Sequence, residues 1–160
     1  MTIKVGDKIP SVKIKHITKD GVKDITTDEI FGGKTVSLFA LPGAFTPTCS
    51  AKHLPGFVQN AGAIKGKGVS TIACLSVNDA FVMDAWGKNQ NVGDNVLMLA
   101  DGNAELTKAL GLEMDGSGYG MGTRSRRYSM LVDNGVVAQL NVEKPGAFEV
   151  SNAETMLKQL

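Results

Sequence analysis

The sequence predicts an α/β fold, a mixed β-sheet flanked by helices, and three observations carry that prediction. Apolar, β-rich runs from Thr35 to Leu41 and from Val69 to Val77 read as strands covered on both faces. Stretches with helical signals fall between such runs, and helices between strands imply right-handed parallel crossovers. Asn134-Gly135, between Tyr128 to Asp133 and Val136 to Val142, is the turn signal of an antiparallel hairpin, which adds an edge pair.

Each element has its own warrant. Polar and apolar residues alternate around Val12, Ile14 and Ile17 ahead of Asp20-Gly21, so the chain opens with a hairpin. Thr26 and Glu29 have the spacing of a capping box for one short helix that stops at Gly32-Gly33. After the Thr35 strand and Pro42-Gly43, Thr46 suits an N-cap and Pro47 the first helical position, where its missing N–H costs nothing. That helix is expected to run to about Lys65 with a kink at Pro55. Asn78 or Asp79 caps a helix through Phe81, Val82, Ala85 and Trp86. Val96 to Ala100 is a strand, Asn103 to Leu110 a helix closed by Gly111, and Gly116 to Gly122 a loop. Ser151 and Glu154 are expected to cap a last helix holding Met156, Leu157 and Leu160. The order βαβ, αβ, α, ββ, α is the thioredoxin-like plan.

Length and composition narrow the function classes. A chain of 160 residues is one domain's worth, so residues 1–160 are read as a single domain. Seventeen Lys and Arg against sixteen Asp and Glu leave a net charge of +1, too little to recruit nucleic acid or an anionic membrane. Apolar runs such as the one through Leu38, Phe39 and Ala40 fall short of the ~20 residues a bilayer requires. The start MTIKVGDKIP has neither an apolar core nor an Arg-rich amphipathic stretch. Two cysteines are too few for a secreted disulfide scaffold. The expectation is a soluble, cytoplasmic protein.

Three positions stand out chemically. Cys49 lies in the first turn of a helix that follows a buried strand, where free N–H groups and the helix dipole favour an anion. Open α/β sheets also place ligand sites beyond the carboxyl ends of their strands. A free cysteine is most often a small buried hydrophobe; its position argues that Cys49 is reactive. Arg127 ends the run Arg124-Ser125-Arg126-Arg127 at a strand mouth, from which it can point inward and hold a thiolate. Arg124 and Arg126 read as a solvated basic patch. Cys74 lies inside the Val69 strand. A straight helix of ~18 residues and a returning strand leave the two cysteine Cα atoms about 14 Å apart, about twice the span of a disulfide, so Cys74 reads as core.

Other readings fall away. No Cys-x-x-Cys is present, so dithiol exchange lacks its second thiol. His53 is one helical turn after Cys49, but Cys/His catalysis or a metal pair needs a third partner, and a zinc site would have to gather both cysteines with His16 and His53. The glycines of 116–122 follow no strand and do not spell a dinucleotide loop. Phe81, Trp86 and the seven methionines read as core or as a subunit contact.

PGAFTPTCSAKHLPGF, from Pro42 to Phe57, resembles the active-site segment of the type II (atypical, five-like) peroxiredoxins. The likeness continues in ACLSVNDAFVMDAW (Ala73 to Trp86) and GTRSRRYSMLVDNG (Gly122 to Gly135), and P-x-x-x-T-x-x-C is its most specific part. The resemblance implies a thioredoxin-like fold and thiol-dependent reduction of hydrogen peroxide and organic hydroperoxides. It implies that Cys49 is the peroxidatic cysteine, passing through sulfenic acid. By the same match the Thr46 hydroxyl bonds the peroxide or the sulfur, Pro42 shields the sulfenate, and Arg127 steadies thiolate and developing oxygen charge. It further implies a homodimer, no cofactor, and an external reductant, glutathione with glutaredoxin or thioredoxin. An ionised thiol needs no general base, which agrees with the scarcity of histidine.

Departures from that pattern shape the expected cycle. Some five-like members carry a C-terminal resolving cysteine where Val150 stands here, and no cysteine follows Cys74. Plant-like members have a cysteine at the place of Cys74, which leaves it as a resolving candidate. The expectation is a one-cysteine cycle. A redox-sensing module would need the same activated thiol and is separated by its slower reaction with peroxide. A non-catalytic interaction domain would tolerate loss of Cys49.

Overall fold

The computed structural model describes residues 2–160. The opening hairpin pairs β1 (Lys13–Thr18) with β2 (Gly21–Thr26). Helix α1 (Thr27–Phe31) follows, and both hydrogen bonds of its capping box form: Glu29 N–H donates to Thr26 Oγ1 at 3.1 Å, and Thr26 N–H donates to the Glu29 carboxylate at 3.2 Å. Strands β3 (Thr35–Ala40), β4 (Thr71–Ser76) and β5 (Leu97–Ala100) run parallel. The small pair β6 (Glu113–Asp115) and β7 (Thr123–Ser125) stands apart from them. The hairpin of β8 (Tyr128–Asp133) and β9 (Val136–Val142) lies antiparallel on β3. Asn134 and Gly135 both have positive φ, +47° and +81°, as a hairpin turn matching strand twist requires. One seven-stranded sheet results, ordered β2-β1-β5-β4-β3-β8-β9.

Strand alternation sorts the core onto two faces. Val36, Leu38 and Ala40 of β3 and Ala73 and Leu75 of β4 join one cluster with Ile30, Phe31, Leu106 and Leu110. Phe39, Ile72 and Cys74 join the other, with Cys49, Leu54, Phe57, Ile64, Met83, Trp86 and Met156. The helical residues of this second cluster come from the Cys49 segment, α2 (Leu54–Gln59), α3 (Ala61–Gly66), α4 (Ala80–Asn89) and α6 (Ala153–Gln159). The first cluster is covered by α1 and α5 (Glu105–Leu110).

Four local expectations are corrected. The long helix is not one rod kinked at Pro55. Helical turns begin at Pro47, Cys49–His53 form a π-turn closed by Leu54 N–H on the Cys49 carbonyl, and Pro55 sits in the first turn of α2, where it breaks nothing. The interruption falls at Asn60, whose side-chain amide and backbone N–H both donate to the Gly56 carbonyl, at 2.8 and 3.1 Å. The straight-helix premise of the cysteine separation is therefore lost. The last helix is capped by Asn152, which accepts from Thr155 N–H at 2.8 Å, because Ser151 is held elsewhere. The glycine-rich stretch links two strands, β6 and β7, and Gly116 is needed there: a Cβ would lie 2.9 Å from the Gly122 carbonyl oxygen. Trp86 is fully buried, whereas Phe81 is 69% exposed, so of the two only Phe81 is free for a subunit contact.

Candidate active site

The site forms beyond the carboxyl ends of the parallel strands. β3 ends at Ala40, and the chain turns through Pro42 and Gly43, with Phe45 at φ +62°, before the helical turn. Asn78, just past β4, holds this turn: its Oδ1 accepts from Ala44 N–H at 2.9 Å and from Ser76 Oγ–H at 2.6 Å. Arg124 clamps it from the other side, Nε donating to the Met121 carbonyl at 3.0 Å and Nη1 to the carbonyls of Val77 and Pro42 at 3.2 and 3.4 Å. Arg124 is thus a half-buried clamp rather than part of a solvated patch. A Cβ at Gly43 would lie 3.0 Å from its Nη1, so the turn has little room for a larger residue.

Cys49 opens the π-turn with no exposed surface. Arg127, immediately before β8, reaches it across the sheet end: Nη2 donates to Cys49 Sγ at 3.1 Å and Nη1 to His53 Nδ1 at 2.9 Å. His53 Nε2 lies 2.9 Å from the Ser151 carbonyl, which can only accept. The proton therefore sits on Nε2, and Nδ1 is the acceptor for Arg127. Burial, reinforced by the charge of Arg127, holds the imidazole neutral and depresses its pKa to about 3. The rings of Phe39 and Phe148 lie 5.0 Å from His53 and that of Phe57 5.7 Å, closing an apolar collar, and Arg127 also stacks over Phe148 at 5.7 Å.

Glu143 fixes the far end of this chain of contacts. Its carboxylate accepts from the N–H groups of Glu149, Val150 and Ser151 and from Ser151 Oγ–H, between 2.7 and 3.0 Å. Burial pushes the Glu143 carboxyl up, but these four donors outweigh it and hold the pKa below its ordinary value. Its own N–H donates to the Arg127 carbonyl at 2.9 Å. The Glu143 carboxylate therefore holds Ser151, Ser151 orients His53, and His53 orients Arg127. Neither Glu143 nor Phe148 is marked by a local motif, and the signals at Ser151 and Arg124, a capping box and a basic run, pointed to other roles. His53 carried a usable signal, its place one helical turn from Cys49, but its partner is the arginine and not the sulfur.

The remaining sequence candidates have plain positions. The Thr46 hydroxyl donates to the Gly43 carbonyl at 2.6 Å instead of accepting from the helix, while the Thr46 carbonyl accepts from Ser50 N–H at 3.0 Å. Ser50 Oγ accepts from Trp86 Nε1 at 3.0 Å, pinning the π-turn to α4. Pro42 and Arg127 together border a cavity of about 130 Å³. Cys74 pairs with Phe39 across the β3–β4 ladder, is fully buried, and is free, as is Cys49. Burial, and then the nearby Cys49, push the Cys74 thiol pKa well up. Val150 is 41% exposed. Among the described residues no three of His, Cys, Asp and Glu converge as metal ligands, and no helix is long and apolar enough to cross a membrane.

A thioredoxin-like sheet with an arginine-held cysteine at its edge defines a thiol-redox class, and comparison with known proteins places the chain within it. Residues 4–157 match the Redoxin family model. The chain is 56% identical over 164 residues to Peroxiredoxin-2E-2, chloroplastic, of Oryza sativa subsp. japonica, covering 99% of this chain and 73% of that protein. It is 48% identical to Peroxiredoxin-2D of Arabidopsis thaliana, covering 99% and 98%. The structure of reduced Prx3 in complex with h2o2 from Vibrio vulnificus superposes with a TM-score of 0.96 at 56% identity, covering 99% of both chains. The chain belongs to the Redoxin family and, within it, to the type II peroxiredoxins, which makes it a thiol peroxidase.

Proposed function

We propose that Cys49 is the peroxidatic thiol. Its thiolate attacks one oxygen of a hydroperoxide, the S–O bond forms as the O–O bond breaks, and the second oxygen leaves as hydroxide or alkoxide and takes a proton from solvent. Cys49 becomes a sulfenic acid. The observation that carries this reading is the hydrogen bond from Arg127 to Cys49 Sγ at 3.1 Å, whose donor is a fixed, permanently charged fork aimed where charge is held and then moves. In this reading Thr46 supplies a hydroxyl to the peroxide or the sulfur, and Pro42 shields the sulfenate from water. Hydrogen peroxide and organic hydroperoxides are the substrates, and the resemblance to a Prx3 solved with h2o2 supports the first.

The sulfenate is reduced by an external thiol, glutathione with glutaredoxin or thioredoxin, in a one-cysteine cycle that needs no cofactor and leaves Cys74 in the core. The protein acts in the cytoplasm as a homodimer of single-domain chains, with exposed Phe81 available to the contact. The test is the intact mass of reduced protein after one equivalent of hydrogen peroxide, with and without a sulfenate trap. A gain of one oxygen, trapped at Cys49 and absent in Cys49→Ser, is expected. Loss of two hydrogens would mean that Cys49 and Cys74 bridge, and no change within seconds would overturn the assignment of Cys49. Loss of turnover in Cys74→Ser with every reductant, the first turnover staying intact, would overturn the one-cysteine cycle.

A further inference from the structure

The cavity of about 130 Å³ beside the site is bordered by Pro42, Thr48 and Arg127 on the Cys49 side and by Arg126, Glu143 and Lys144 on the other. It has three cations and one carboxylate, and their engagements differ. The Glu143 oxygens are taken by Glu149, Val150 and Ser151. Arg127 is committed to Cys49 and His53. The Arg126 guanidinium makes one long contact, Nη2 to the Glu143 carbonyl at 3.4 Å. Among the described residues the ion pairs join Lys4, Lys13, Lys15 and Lys88 to Asp7, Asp24 and Asp84, and none includes Arg126 or Lys144. Arg126 is half-buried, so its charge is screened less than that of a surface cation.

We propose that this cavity is a carboxylate subsite, in which Arg126 and Lys144 hold a carboxylate of the molecule that reacts at Cys49. At about 30 Å³ per water-sized group, the space takes a carboxylate and the carbons next to it, not a whole tripeptide. An arginine fork matches a carboxylate bidentately, and the lysine adds a point charge. The inference rests on Cys49 being the peroxidatic thiol. The carboxylate can belong to the reductant, a small acidic thiol, or to a carboxylated hydroperoxide. In the first case the thiolate RS⁻ attacks the Cys49 sulfenic sulfur, the S–S bond forms, the S–O bond breaks, and hydroxide leaves to become water. A second RS⁻ then attacks the mixed disulfide, giving RSSR and the Cys49 thiolate, so two thiols supply the two electrons. In the second case the carboxylate orients the peroxide for the attack described above.

The experiment uses the full chain, the Arg126→Gln/Lys144→Gln double variant, and Lys144→Gln alone, which alters only an exposed side chain. Stopped-flow rates are read for sulfenate reduction by glutathione and by its diethyl ester, and for sulfenate formation by a fatty-acid hydroperoxide and by its methyl ester. The readout is the acid-to-ester ratio within each protein, so a general change in Cys49 reactivity cancels. A ratio that falls roughly tenfold in the double variant is expected, the size of one lost charge-assisted hydrogen bond, with a smaller fall in Lys144→Gln. A fall confined to the thiols assigns the subsite to the reductant, and one confined to the hydroperoxides assigns it to the substrate. A ratio unchanged for both pairs overturns the subsite. Failure of the Cys49 reading looks different: the unaltered protein would then take up no oxygen from hydrogen peroxide at all.

Discussion

The helix start that holds Cys49 and the centre of β4 that holds Cys74 invite comparison. Both cysteines have no exposed surface, both are free, and both pack in the same apolar cluster. They differ in company. Cys74 sits between Phe39 and Met98 in the ladders of β3 and β5, and burial pushes its thiol toward the neutral form. Cys49 receives a guanidinium N–H from Arg127, which is held in place by a neutral histidine. Depth alone makes a cysteine inert; a fixed cation at hydrogen-bond distance is what sets the two thiols apart.

Removing the cation should break the contrast most strongly. Arg127→Gln is expected to slow the second-order reaction with hydrogen peroxide by about 10²–10³-fold, measured by stopped flow. Arg127→Lys should recover only part of this, since one ammonium cannot present the planar fork that serves Cys49 and His53 together. A rate within twofold of the unaltered protein in Arg127→Gln would show that the arginine does not distinguish the thiols.

The next effect concerns the residue behind the cation. His53→Ala should lower the peroxide rate roughly tenfold, and His53→Gln, which keeps an acceptor for Arg127, should restore most of it. Stability carries an independent signature. Folded His53 titrates at about 3 against an ordinary 6.5, so between these values the unfolded chain binds a proton that the folded chain does not. Stability is therefore lost as pH falls through that window, by up to about 1.4 kcal/mol per pH unit. The depressed carboxyl of Glu143 adds a loss of the same sign as pH drops below its ordinary range. Urea titrations between pH 4 and 7 should give a shallower pH dependence in His53→Gln, and an unchanged slope would show that the imidazole is not kept neutral.

The smallest catalytic effect is expected at the other thiol. Cys74→Ser should leave the peroxide rate unchanged and cost about 1–3 kcal/mol of stability, because it buries a hydroxyl without a designed partner. Denaturant titration and single-turnover kinetics on the same sample check both parts, and a peroxide rate reduced tenfold would erase the contrast.

What could be read from the sequence followed short-range chemistry. The capping box at Thr26 and Glu29 and the Asn134-Gly135 turn form as expected, and of the two cap candidates Asn78 and Asp79 it is Asp79 that caps, because each is settled within a few residues. Where local signals misled, a distant partner had intervened: Ser151 lost its cap role to Asn152 because Glu143 holds its hydroxyl and N–H. Thr46 is the exception, its hydroxyl turning to a local acceptor, the Gly43 carbonyl three residues back. Arg124 looked like a surface charge because the three carbonyls it clamps belong to separate loops.

By itself the sequence determined the strands of the main sheet but not the small β6–β7 pair, and it determined most caps, the family motif, and the placing of Cys49 at the start of a helix beyond a buried strand. Tertiary structure decided which groups meet that sulfur. Arg127 is 78 residues from Cys49 and 74 from His53, and Ser151 is 98 from His53. Strand and helix periodicities fix which way a side chain faces over a few residues, but they carry no information about such separations. Only the order of the seven strands brings the mouth of β8 beside the end of β3, where a cation meets the thiol and is itself held by a neutral imidazole that a carbonyl orients.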